Sequence, residues 1–166
     1  VRATFGSYEA ALEDVEAERV IKSSPKFIDD HLWGWTPAEK KAGSINGSRM
    51  NEIDEQRRAF VEGYRDVLPE PNTLSDVVRE FVYWDWLYSV RHTATKEQGY
   101  EFGYSEHHES VYDRERYLEK LLETIKPMTR AEAIEVCRWF LESEKGQYIE
   151  NHGAAVMFNL VGECEE

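Results

Sequence analysis

The chain has 166 residues, 41% of them apolar and 13% aromatic, with 33 acidic against 20 basic side chains and a formal net charge of −13. That length and apolar content speak against a disordered chain and suit one domain with its own core, subdivided if anywhere near 69–72. The charge speaks against direct nucleic-acid binding, which needs Lys and Arg against phosphates, and against anionic membranes; it suits cationic partners.

The charge is uneven. Residues 1–70 carry 10 basic and 14 acidic side chains, and residues 71–166 carry 10 and 19. An acidic docking face in the second half is one reading; an ordinary solvated surface is the other. The two cysteines, Cys137 and Cys164, make neither a disulfide framework nor a zinc knuckle, so reduced thiols are expected. No stretch has the length of a membrane span, and "VRATFGSYEA" has no signal-peptide apolar region. The cytoplasm is the expected compartment.

In chain order, Ser7 caps a helix from Tyr8 to about Lys22, with Tyr8, Leu12 and Val15 on one face. Thr36, Pro37 and Glu39 form a capping box with proline at the first helical position, and Gly43 stops that short helix. Ile53, Phe60, Tyr64 and Val67 mark a helix from about Asn51 to Leu68, and "PEPN" breaks the chain at 69–72. The next helix starts near Thr73 or Ser75 and runs to about His92. Apolar residues surround most of "VVREFVYWDWLYSV", which predicts a central, buried helix, a strand being the alternative. Residues 93–109 predict a long loop or a small β-hairpin near 95–105. Ser110 with Asp113 caps a helix whose stripe is Tyr117, Leu118, Leu121, Leu122 and Ile125. Thr129 and Glu132 open another, lined by Ile134, Cys137, Phe140 and Leu141 to about Glu144, with Gly146 breaking it. "YIENHGAAVMFNLV" predicts a terminal helix, a buried strand being the alternative. The expected fold is an all-α, single-domain bundle of six or seven helices.

Chemistry has few candidates. Asp85 lies between Trp84 and Trp86 in the most apolar run. A buried carboxylate is costly unless paired, so the preferred reading is a buried or half-buried anchor of helix packing. The alternatives are a solvent-facing helix edge and a pKa-shifted acid or base. His107 and His108, with Glu106 and Glu109, are plausible metal ligands, completed by His92, His31 or His152. Adjacent histidines in a loop point apart, however, and neither H-E-x-x-H nor Glu-x-x-His occurs, so no metal and no cofactor are expected. His152 reads as a structural residue. Nucleophile-elbow, phosphate-loop and dinucleotide motifs are absent as well. Trp33 and Trp35 flank a glycine before a capped helix, which suits core or interface packing.

These features favour a non-catalytic interaction protein. Its expected contacts are Glu115, Glu119, Glu123, Glu132, Glu135 and Glu142 as an acidic face, with Trp33 and Trp35 as aromatic anchors. Carboxylates spaced like phosphates occupy the basic surface of a nucleic-acid-binding protein or nucleoprotein complex, as small phage-borne inhibitors of host defence complexes do by analogy. The alternatives are an accessory subunit of a larger assembly, or a metal-dependent enzyme built on Asp85 and the His107/His108 loop.

Overall fold

The computed structural model describes residues 1–143 and 153–162, and the regular structure in them is helical throughout, with no strand among the described residues. The expectations for His152, Gly146 and Cys164 lie outside them. The chain divides into two compact units. One comprises Val1–Glu13, Glu70–Glu106 and Leu118–Glu166; the other comprises Asp14–Pro69 and His107–Tyr117.

The first unit is organised by α6 (Leu74–Glu97), after the short α1 (Arg2–Phe5) and α2 (Tyr8–Leu12). Thr73 caps α6: its hydroxyl accepts from the Asp76 N–H, and its own N–H donates to the Asp76 carboxylate. Leu74, Val77, Phe81, Trp84, Leu87, Arg91 and Ala94 recur every three or four residues and form the buried stripe. Burial of a large side chain such as Phe81 or Leu87 contributes about 1.5–3 kcal/mol. The stripe is narrower than the sequence suggests, because Val82 and Trp86 are exposed. The helix also runs five residues past the expected His92, to Glu97, which removes the possible hairpin over 95–105.

α6 packs on α2 and on α8 (Arg130–Glu142), which in turn packs on α9 (Gly153–Val161). The helix expected over 8–22 is two helices, α2 and α3 (Glu16–Ser23), with extended backbone at Glu13. Two interactions favour the break. The buried Arg91 guanidinium donates to the Ala11 and Glu13 carbonyls, 3.2 and 2.8 Å away, which end α2. The Glu18 carboxylate takes the Val15 N–H and starts α3. At the other end of the unit, the Asn159 side-chain amide donates to the Leu122 and Ile125 carbonyls at the end of α7 (Glu109–Thr124). These contacts satisfy carbonyls that a helix terminus leaves open.

The second unit holds α3, α4 (Pro37–Ala42), α5 (Gly47–Val61) and the first two turns of α7. The Thr36/Glu39 capping box and the left-handed Gly43 stop stand as the spacing predicts. α5 starts earlier than expected, because Asn46 caps it, and ends at Val61 instead of Leu68. Glu62, Gly63 and Tyr64 all have positive φ, which no α-helix tolerates. The segment is pinned by Arg114, a wholly buried side chain that donates to the Gly63 and Pro69 carbonyls at 2.8 and 2.7 Å. A Cβ on Gly63 would lie 2.3 Å from the Tyr117 ring, so the turn admits only glycine there.

Candidate interaction surfaces

Ionic chemistry is concentrated inside the second unit. Asp113, with no side-chain exposure, receives Arg57 Nε at 3.0 and 2.8 Å on its two oxygens and has Arg57 Nη2 at 2.8 Å. Arg116 adds a contact at 3.2 Å and reaches Glu109 at 2.8 Å. Burial pulls the Arg57 and Arg116 guanidiniums down, but their carboxylate partners outweigh it and keep both fully charged. The cluster is a set of ion pairs suited to holding α5 against α7. Sequence reading gave Asp113 only a capping role. Its partner lies 56 residues away, and no local spacing announces such a pair.

The six glutamates do not form one face. Glu115 is buried, which removes it from any docking surface. It sits on the inner side of α7 with Val111 and Leu118, one turn away in either direction. Glu132 is buried as well: it accepts from the Ser75 N–H and hydroxyl at 2.9 and 2.8 Å and from the Met128 N–H at 2.7 Å. Burial pushes its carboxyl up, yet these hydrogen bonds outweigh burial and hold it below its ordinary range. Its work is to tie the start of α8 to the start of α6. Glu119 and Glu123 are half-buried, and only Glu135 and Glu142 are exposed.

Trp33 and Trp35 are half-buried; Trp33 packs on Phe60 with ring centres 5.7 Å apart. Asp85 is exposed, which corrects the expectation of a buried anchor. The helical period explains it: Trp84 points into the stripe, so Asp85 and Trp86 turn away from it. Trp86 is partly covered by Phe5, stacked at 5.9 Å.

The histidines are separately engaged. His107 is buried, with its ring edge-on to Tyr112. His108 stacks on Phe27, and its Nδ1 lies 2.8 Å from the Ser110 hydroxyl. No group of three or more His, Cys, Asp or Glu side chains is placed to hold an ion among the described residues. The metal-site alternative therefore has no geometric support there. Nor is any helix among them long and apolar enough to cross a membrane.

A different surface emerges from the segment after α6. Residues 99–106 form a loop braced on α6 through its main chain and through the Tyr104 side chain, whose hydroxyl accepts from Arg91 Nη1 at 3.3 Å and whose ring packs edge-on to Tyr88. Thr95 Oγ1 accepts from the Tyr104 N–H at 2.6 Å, and His92 Nδ1 meets the Tyr104 carbonyl at 3.0 Å. Lys96 Nζ donates to the Glu101 carbonyl at 2.7 Å, and the Tyr100 N–H donates to the Thr95 carbonyl at 3.1 Å. Gly103, at φ +67°, brings the backbone against the His92 ring. At the tip, Phe102 is 83% exposed and Tyr100 62% exposed, and Glu97, Glu101 and Glu106 around them are exposed too. An aromatic held in solvent on a braced loop has already lost the freedom that binding would otherwise cost. Two glycines and alternating aromatics signal this loop in the sequence, but its bracing hydroxyl, Thr95, does not stand out.

No family model, curated protein or solved structure matches the chain.

Proposed function

We propose that this chain is a cytoplasmic, non-catalytic acidic protein that binds and regulates or inhibits a basic, nucleic-acid-binding protein. The observation that carries the reading is the braced loop, which offers Phe102 and Tyr100 amid Glu97, Glu101 and Glu106 on a chain of net charge −13. Aromatic anchors in a ring of carboxylates suit an apolar pocket rimmed by Lys and Arg. The negative field of the whole chain speeds encounter with such a surface and disfavours nucleic acid itself. The loop takes over the role first expected of Glu115 and Glu132, whose carboxylates are buried.

The test is capture from a cell lysate by the immobilised chain, eluted through a salt series. Wild type is compared with Phe102→Ala and with the combined Glu97→Lys, Glu101→Lys and Glu106→Lys variant. The reading expects a basic nucleic-acid-binding protein that rising salt releases and that both variants lose. A partner retained through high salt and lost only with Phe102→Ala turns the reading to an accessory subunit held by its aromatics. Capture of nothing, or of a partner indifferent to both variants, overturns it.

A further inference from the structure

We infer that the Asn46–Gly47 peptide is a self-modification site, where the Gly47 nitrogen closes on the Asn46 side chain and converts the asparagine to aspartate and isoaspartate. This goes beyond the binding function proposed above and rests on none of it.

The first observation is steric. The chain has five asparagines, and Asn46 alone precedes glycine; the others precede Glu52, Thr73, His152 and Leu160. Ring closure brings the nitrogen of the following residue onto the asparagine Cγ, and a side chain on that residue obstructs the approach. Gly47 has none. Asn46 and Gly47 are both exposed, and a Cβ built on Gly47 would meet nothing within 4 Å. Water and hydroxide reach the peptide freely. Asn159, by contrast, is buried, with its amide tied to the Leu122 and Ile125 carbonyls.

The second observation is what restrains the peptide. Asn46 caps α5: its Oδ1 accepts from the Arg49 N–H at 2.8 Å, and its backbone lies at φ −84° and ψ 166°. That ψ keeps the Gly47 nitrogen turned out of the plane in which the ring closes. Turning it in breaks the cap. The reaction therefore waits on opening of the first turn of α5, a local event well short of unfolding.

The step needs no reactant beyond water. The Gly47 amide loses its proton to solvent, and its nitrogen bonds to the Asn46 Cγ. The Cγ–Nδ2 bond breaks, and the nitrogen leaves as ammonia. Water then opens the succinimide at either carbonyl. Opening at Cγ restores the ordinary chain with an aspartate side chain. Opening at the Asn46 main-chain carbonyl leaves the chain running through Cγ, as isoaspartate. Aspartate keeps an oxygen for the Arg49 N–H and sets a negative charge at the helix start, where it is favoured. Isoaspartate takes the capping side chain into the main chain and so removes the cap. Either product adds one negative charge to a chain that stands at −13.

The test is incubation of the whole chain in mildly alkaline buffer at body temperature, followed by mass spectrometry of the tryptic peptide Ala42–Arg49, whose one asparagine is Asn46. The peptide is expected to split with time into aspartate and isoaspartate forms. Gly47→Ala should abolish conversion over the time in which half of the wild type converts. Gly47 does not have positive φ and its Cβ side is open, so unchanged circular dichroism is expected to show that variant folded. The wild-type chain unfolded in guanidinium chloride should convert about fivefold faster than the folded chain, the value of one cap bond. An asparagine that stays intact, aspartate without isoaspartate, or a Gly47→Ala chain that converts as fast as wild type overturns the inference. Equal rates in the folded and unfolded chain overturn the gating by the cap. None of these outcomes depends on Phe102, so the binding function proposed above stands or falls separately.

Discussion

Arg57 and Asp113 meet inside the second unit through contacts from both Nε and Nη2, although 56 residues separate them. The carboxylate has no solvent exposure, and its other cation is Arg116. Removing one member strands a charge out of water, which costs more than the pair itself contributes. Asp113→Ala should therefore lower stability by about 3–5 kcal/mol, whereas replacing both Arg57 and Asp113 with apolar residues of similar volume should cost less than either single change. Urea unfolding of the three variants checks the order. A double variant weaker than both singles would contradict it.

Gly63 should be intolerant of any side chain. Its φ is +59°, and an added Cβ meets the Tyr117 side chain at 2.3 to 2.7 Å. Gly63→Ala is expected to cost about 1–3 kcal/mol from overpacking, with the φ penalty added. Tyr117→Ala in the same chain should relieve part of the new cost, a coupling that a double-mutant cycle reads directly.

Glu132 makes stability depend on acid. Its folded carboxyl sits below its ordinary 4.5, because hydrogen bonds to the charged form outweigh burial. A depressed carboxylate stabilises the fold fully above the unfolded value, and that stability is lost as pH falls through the folded value. The wild type should therefore exceed Glu132→Gln in melting temperature at pH 6–7, with the gap closing below about pH 4.5. A gap that is constant down to pH 3 would rule out this role.

Tyr64 does the same at the alkaline end. Burial, reinforced by Asp113, pushes its hydroxyl up to about 12 from an ordinary 10.0. The raised value favours the protonated fold: the stability it brings is whole below pH 10 and is lost as pH climbs towards 12. Absorbance titration should show one tyrosine silent at pH 11 in the native chain and titrating once it is unfolded. Tyr64→Phe should remove that silent group and flatten the alkaline decline.

Thr95 should govern the loop without governing the fold. Its hydroxyl accepts the Tyr104 N–H while its backbone carbonyl accepts the Tyr100 N–H. Thr95→Val removes only the first of these. Amide exchange at Tyr104 should then accelerate by about tenfold or more, the value of a net hydrogen bond of about 1 kcal/mol plus local opening, while exchange within α7 stays unchanged.

Much of the fold was legible because it is written locally. Thr36, Pro37, Glu39 and Gly43 specify α4 within eight residues, and Thr73 and Thr129 announce α6 and α8. What was not legible depends on partners distant in sequence. Arg91 ends α2 from 80 residues away, and Arg114 holds the turn at Gly63 from 51 residues away. Composition also misled where period decides: Asp85 looks buried among tryptophans, yet the three- and four-residue spacing of Phe81, Trp84 and Leu87 turns it outward. Charge counts failed in the same way for Glu115 and Glu132, because a count does not reveal which carboxylates a structure keeps for itself.

The bracing of residues 99–106 has a consequence for how this chain changes over time. Its hydrogen bonds grip the Tyr100 N–H, the Glu101 carbonyl and both main-chain groups of Tyr104. None of them uses the side chain of Glu101 or Phe102. The platform is thus indifferent to the identity of the residues it displays, and drift or selection at those two positions can rewrite what the tip recognises without reopening the question of whether the protein folds.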